Sequence, residues 1–308
     1  MQSLPLEVKV EMSRRRIKEW YESHDGMVYV AFSGGIMSTV LLKLVREMYP
    51  EVPAVFCDTG LEYPSVRDFA LSQPNVEPIC PVKYNRKTRK YERISFRDVI
   101  RTYGYPVISK EQSSFIREYR TGSEKLKEIR MNGNNRGQGK ISQKWRFLIN
   151  APFPISEQCC TAMKKTPSKL YEKKTGRSPF IGTTASESSL RKSNWIRYGC
   201  NAFEASRPTS RPLSFWTGDD FFQYIVLNNV DFADVYGEVI WDGEHGHTTG
   251  EPRTGCMFCM YGCASEKEPN KFQRMKITHP KQYEYCMRDL EDGGLGLKKV
   301  LDYIGTAH

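Results

Sequence analysis

MVYVAFSGGIMSTVLLKLVREMY, residues 27 to 49, reads as three elements in succession. MVYVAF (27–32) is a short apolar run rich in β-branched and aromatic side chains, the composition of a buried strand. SGG (33–35) follows as a turn, and IMSTVLLKLVREMY (36–49) reads as a helix. A glycine loop between a strand and a helix lets backbone N–H groups converge on an anion, and the helix dipole adds positive potential there. Ser33, Gly34 and Gly35, with the hydroxyls of Ser38 and Thr39 in the first helical turn, are therefore a candidate phosphate cradle. An ordinary tight turn, in which the glycines only relieve steric strain, is the alternative.

Working outward, the pattern repeats. PAVFCD (53–58) is a second strand, TGLEYP a loop and SVRDFALS a helix; a third strand is expected around Val76 to Val82, and PFIGTT (179–184) returns to the core later. Alternating strands and helices predict a doubly wound parallel sheet of the α/β class, Rossmann-like, with ligands at the carboxyl ends of the strands. Ser109 to Asn150 reads as polar and mostly helical. Thr217, three residues before Asp220, is a capping-box start for a later helix. The expected organisation is an α/β domain over 1–250, carrying a basic helical insertion at about 84–150, and a cysteine-bearing helical region over 251–308.

Composition narrows the class. The chain has 308 residues, 39% of them apolar, and no apolar run approaches the ~20 residues of a membrane-spanning helix. The first twenty residues place charges where a signal peptide needs an apolar stretch, and read as an amphipathic helix of a cytoplasmic protein with no membrane partner. Between Lys83 and Arg146 there are 18 Lys and Arg against 6 Asp and Glu, a local charge of +12, so the remaining chain carries about −2 of the total of +10. The basic region 83–147 is thus a candidate nucleic-acid surface, with Tyr84, Tyr91, Tyr103 and Trp145 as stacking candidates; a solvated face is the plain alternative. A protein partner is also compatible with such a patch.

Four ordered motifs carry a resemblance. Ser33-Gly-Gly-Ile-Met-Ser-Thr39 resembles the SGGKDST pyrophosphate loop of the adenine nucleotide alpha-hydrolase superfamily, and Cys57-Asp-Thr-Gly-Leu-Glu-Tyr-Pro64 resembles the DTGxExP segment of its phosphoadenosine phosphosulfate (PAPS) reductase branch. Gly182-Thr-Thr-Ala-Ser-Glu-Ser-Ser-Leu-Arg191 is similar to the G-x-x-x-S-E-S-x-x-R nucleotide segment, and Pro212-Leu-Ser-Phe-Trp-Thr217 to P-L-x-x-W-T. The resemblance implies ATP or another adenine nucleotide, with Mg²⁺, as ligand. It implies phosphate contacts from the cradle and Gly182, and nucleotide contacts from Asp58, Thr59, Gly60 and Glu62. Glu187 and Arg191 would close over the nucleotide, and Asp58, Arg191 and Lys164 are the candidate catalytic residues.

Nine cysteines without a secretion signal point to metal or catalysis rather than disulfides. Cys159-Cys160, followed by Lys164 and Pro167, and the downstream Cys256-Met-Phe-Cys259 form a set of soft ligands suited to an iron–sulfur cluster or zinc; inert core thiols are the third alternative. The arrangement resembles the [4Fe-4S] motif of assimilatory adenylyl-sulfate reductases, Lys164 matching their cluster-proximal lysine and Met163 departing from the preceding basic position. Cys263 leaves a second set of four open, with Cys256, Cys259 and one of the adjacent pair. Cys57, Cys80, Cys200 and Cys286 read as structural, and Glu244, His245 and His247 as a polar loop.

Two departures bear on function. The segment LGLKKVLDYIGTAH lacks the nucleophilic cysteine of sulfonucleotide reductases, and the loop has Ile36 and Met37 where relatives have Lys and Asp. An apolar pair can neither neutralise phosphate nor support Mg²⁺. The expectation is a nucleotide-binding iron–sulfur protein of ATP pyrophosphatase or sulfurtransferase type, with sulfonucleotide reduction and non-catalytic nucleotide sensing as rivals.

Overall fold

Six strands form the central sheet of the computed structural model, which describes residues 1–308. β1 (Val28–Phe32) lies inside it, pairing in parallel with β2 (Ala54–Cys57) on one side and with the strand Ser178–Ile181 on the other. β3 (Val76–Ile79) extends the first side; the short strands Thr209–Ser210 and Asn201–Ala202 extend the second, the last of them antiparallel. Strand order reverses beside β1, so the crevice at its carboxyl end is a topological switch point.

β1 is buried on both faces, which is why its sequence is nearly all apolar. Tyr29 packs with Val55 and Tyr171 on one side. Helix α1 (Leu6–Ser23), α2 (Ile36–Met48) and the helix Gly218–Asn228 pack together. Ser13 of α1 takes the indole N–H of Trp216 at 3.0 Å and donates to Pro212 O. Asp220 caps its helix as expected, accepting from the Thr217 backbone N–H, and also receives Lys9 Nζ at 2.7 and 2.8 Å. No helix is long and apolar enough to cross a membrane.

The chain divides into two compact units, 1–80 with 167–257 and 81–166 with 258–308. The basic insertion and residues 258–308 of the C-terminal region thus fall in one unit, while 251–257, with Cys256, belong to the other. The start of the insertion is not helical. Instead of one strand over 76–82, β3 stops before Pro81, which has no N–H to donate to a ladder. Val82–Asn85 then pairs antiparallel with Lys90–Arg93, a hairpin whose turn is held by N–H donation from Lys87 to Asn85 Oδ1. Helices follow at Phe96–Tyr103, Lys110–Thr121 and Glu124–Asn132, and at Lys271–Thr278, Pro280–Met287 and Leu297–Tyr303.

Candidate functional site

In the first unit, three loops leave adjacent parallel strands at one edge of the sheet: Ser33–Gly35 after β1, Asp58–Gly60 after β2, and Gly182–Thr184 after Ser178–Ile181. Gly34 has φ +73°, and a Cβ there would stand 2.7 Å from Val66 O on α3 (Pro64–Ser72), so no other residue fits without strain. A Cβ on Gly182 would stand 2.8 Å from Met37 O, which lets the third loop press against the first turn of α2. Both glycines are therefore required by close packing of the loops against the helices α3 and α2.

The hydroxyls are arranged differently from the expected phosphate contacts. Ser38 Oγ donates to Gly35 O at 2.8 Å and accepts the Ser33 N–H, and Thr39 Oγ1 donates to Gly35 O at 3.1 Å; both side chains are buried. They brace the loop from within. Ser33 is exposed. Ile36 is buried, and its N–H, the first of the helix, donates to the Tyr236 hydroxyl at 3.3 Å. Tyr236 is itself buried, in a short hydrogen bond with Thr254 Oγ1. Burial raises its pKa, so the group at the helix terminus is a neutral hydroxyl.

The second loop is closed by its own acid. Glu62 accepts from the Thr59 hydroxyl at 2.8 Å and from the backbone N–H groups of Thr59 and Leu61, while Asp58 takes a bidentate pair of bonds from Arg67 at 3.0 and 2.8 Å. Open space lies beside the Cα of Gly60. The Leu61 carbonyl accepts from Met257 N–H at 2.7 Å, which brings the segment carrying Cys256 to the DTG loop. In the third loop Glu187 accepts the Thr184 N–H and pairs with Arg191. Tyr236, Thr254 and Arg67 are contacts that sequence reasoning missed; none stands in a motif, and only chain folding brings the first two to Gly35.

The second unit holds most of the thiols. Cys159 and Cys160 have their sulfurs 3.9 Å apart. The Cys159 thiol, with Lys110, Lys164 and Lys165 adding positive charge, outweighs burial and lowers Cys160 to about 6. Both sulfurs and Cys259 lie within electrostatic range of the Tyr261 hydroxyl. Cys263 is buried and donates to Met260 O at 2.9 Å, with burial holding its pKa up, the bearing of a structural thiol. No three of these side chains stand in the arrangement a bound ion imposes. The donor chemistry of the cysteines is that of soft thiolate ligands. Cys286 is buried, its thiol raised by burial to about 12, and Cys200 is buried with a raised pKa, as structural cysteines should be. His245 and His247 sit in and beside a hairpin turn organised by Asp242.

The basic hairpin is exposed along 86–93, with Tyr84 and Tyr91 in an edge-to-face pair, ring centroids 5.3 Å apart.

Residues 27–103 match the family model described as phosphoadenosine phosphosulfate reductase domain. A Methanocaldococcus jannaschii protein, uncharacterized protein MJ0973, is 23% identical over 298 residues, 92% of this chain. The chain spans 53% of that relative's length. Among solved structures, the PAPS reductase of Candida auris in its phosphate complex aligns over 75% of this chain and 91% of its own, with a TM-score of 0.40 and 15% identity.

Proposed function

We propose that this chain, whose residues 27–103 match the phosphoadenosine phosphosulfate reductase domain model, binds an adenine nucleotide at the carboxyl edge of its sheet and carries a [4Fe-4S] cluster. The observation that supports the nucleotide reading is the convergence of three loops at the carboxyl ends of adjacent parallel strands, with Gly34 and Gly182 letting two of them pack against Val66 and Met37. Gly34 and Gly35 would present backbone N–H groups to phosphate, Ser33 its hydroxyl, and Ser38 and Thr39 would act by bracing the turn. Thr59, Gly60 and Glu62 would shape the adenosine side, and Arg191, paired with Glu187, would close over the anion. Asp58, held by Arg67, and Lys164 remain the candidates for catalysis.

Cys159, Cys160, Cys256 and Cys259 would hold the cluster; in the alternative set Cys263 would replace one of the adjacent pair, and its thiol, already donating to Met260 O, argues for the first set. A bound cluster would supply sulfur handling or electron transfer. The chemistry we favour is ATP-dependent activation of an oxygen for sulfur transfer, on a nucleic acid held by the exposed basic hairpin.

Two experiments test this reading. Isothermal titration with ATP should give one site, and loss of binding in Arg191→Ala with binding kept in Arg86→Ala would support the assignment; no binding by the wild type overturns it. Anaerobic reconstitution should give a brown protein with about four iron and four sulfide per chain, whereas a colourless protein with stoichiometric zinc overturns the cluster. Sulfite released from PAPS by a thiol reductant would instead identify a sulfonucleotide reductase.

A second reading is favoured by one contact. Tyr236 occupies the Ile36 N–H, and Ile36 and Met37 bring no charge to the loop, so binding without cleavage, as in a nucleotide sensor, is the rival. It requires ATP binding with no pyrophosphate release.

A further inference from the structure

The hairpin Val82–Asn85 against Lys90–Arg93 carries six Lys and Arg and a single acid, Glu92. That acid does not neutralise its neighbours. Its carboxylate accepts from Asn85 Nδ2 at 2.8 and 2.9 Å and from the Thr88 hydroxyl at 2.8 Å, so no cation of the hairpin is engaged by it. Arg86, Lys87 and Arg89 occupy the turn. Arg89 has φ +53°, a conformation that favours glycine or asparagine, and a cation stands there instead. The Ile94 N–H donates to Pro81 O at 3.1 Å and closes the base of the ribbon.

Tyr84 and Tyr91 stand directly opposite each other in the ladder and so share one face with the next pair, Val82 and Arg93. Glu92, paired with Lys83, falls on the other face. A cross-strand aromatic pair steadies a two-stranded ribbon. Here the rings do more than cover one another, because Tyr84 remains 48% and Tyr91 53% exposed, with centroids 5.3 Å apart in an edge-to-face arrangement. Open aromatic surface beside unpaired cations is complementary to a ligand that has both flat π-faces and negative charge. A duplex offers phosphates to the cations, but its bases are stacked on one another and show only their edges in the grooves. An unpaired strand offers phosphates and base faces together.

We infer that this face of the hairpin docks an unpaired nucleic-acid strand, bases stacking on Tyr84 and Tyr91 while Arg86, Lys87, Arg89 and Arg93 take the phosphates. The inference rests on the nucleic-acid reading above and narrows it to single strands. Stacking and phosphate contacts are common to deoxy- and ribo-strands and tolerate any base, so the surface selects for an unpaired state and reads neither sugar nor sequence.

The test uses the full chain and fluorescence anisotropy with a labelled oligodeoxynucleotide of mixed sequence, single-stranded or annealed to its complement, over a series of salt concentrations. The wild type should bind the single strand more tightly. Tyr84→Val with Tyr91→Val keeps β-forming residues in the ladder and should weaken single-strand binding about tenfold or more, leaving duplex binding and the salt slope unchanged. Tyr84→Phe with Tyr91→Phe keeps both rings and should bind as the wild type does. Arg86→Ala with Lys87→Ala should weaken binding of both forms and flatten the salt dependence. Equal affinity for the two forms, or single-strand binding unmoved by the valine pair, overturns the inference and leaves the nucleic-acid reading standing. No binding of either form overturns both. Should the valine pair fail to fold, a strand carrying 5-iodouracil is photocrosslinked to the wild type: adducts at Tyr84 or Tyr91 support the inference, and adducts only elsewhere overturn it.

Discussion

The backbone N–H of Ile36 donates to the hydroxyl of Tyr236 at 3.3 Å, so the first free donor of the helix after the glycine loop is already satisfied by the protein. A phosphate that takes the Ile36 N–H in addition to those of Gly34 and Gly35 displaces that hydroxyl. The bond is neutral and its net worth is about 0.5–1.5 kcal/mol, so Tyr236→Phe should bind ATP about 2–10-fold more tightly. Calorimetric titration of both proteins checks this, and weaker binding by the variant would make Tyr236 a ligand instead.

Gly34 adopts φ +73° with Val66 O in the way of any Cβ. Gly34→Ala should therefore lose about 1–3 kcal/mol of stability and bind nucleotide less well, because the loop must shift to accommodate the methyl group. Urea unfolding with and without ATP reads both effects.

Lys9 and Asp220 form a buried ion pair, their side chains 3% and 10% exposed. Lys9→Met leaves the carboxylate buried beside an apolar group, and such a loss costs about 3–5 kcal/mol. Denaturant unfolding measures it, and a change below about 1 kcal/mol would mean that Asp220 is sustained by its cap at Thr217 alone.

Tyr29 is buried and hydrogen-bonded to Glu172 at 2.8 Å. Burial, then the neighbouring carboxylate, raises its pKa from the ordinary 10.0. The unfolded chain therefore gives up this proton first as pH rises. Stability that is whole below pH 10.0 should decline above it, by about 1.4 kcal/mol per pH unit for this one group. In Tyr29→Phe the alkaline slope should be shallower by that amount, as unfolding midpoints across this range would report.

Legibility followed distance along the chain. β1, the glycine turn and α2 are contiguous, and the Thr217 capping box spans three residues, so local patterns sufficed for them. The hairpin at 82–93 was hidden by its charge: a run of lysine and arginine masks alternation, although Asn85 and the interruption at Pro81 signalled it. Ser38 and Thr39 were expected to offer their hydroxyls to phosphate from the first helical turn, but which way a hydroxyl points there is decided by the carbonyl within reach, here Gly35 O.

By itself the sequence determined that a strand, a glycine loop and a helix would meet at one edge of a parallel sheet, because glycine, β-branched and helix-forming residues impose those conformations locally. Only the tertiary structure decided what faces that loop. Tyr236 lies 200 residues from Ile36, and Lys9 lies 211 from Asp220. Contacts of that span arise from how helices and loops pack after the chain closes on itself, and no local pattern of residues encodes which side chain arrives there.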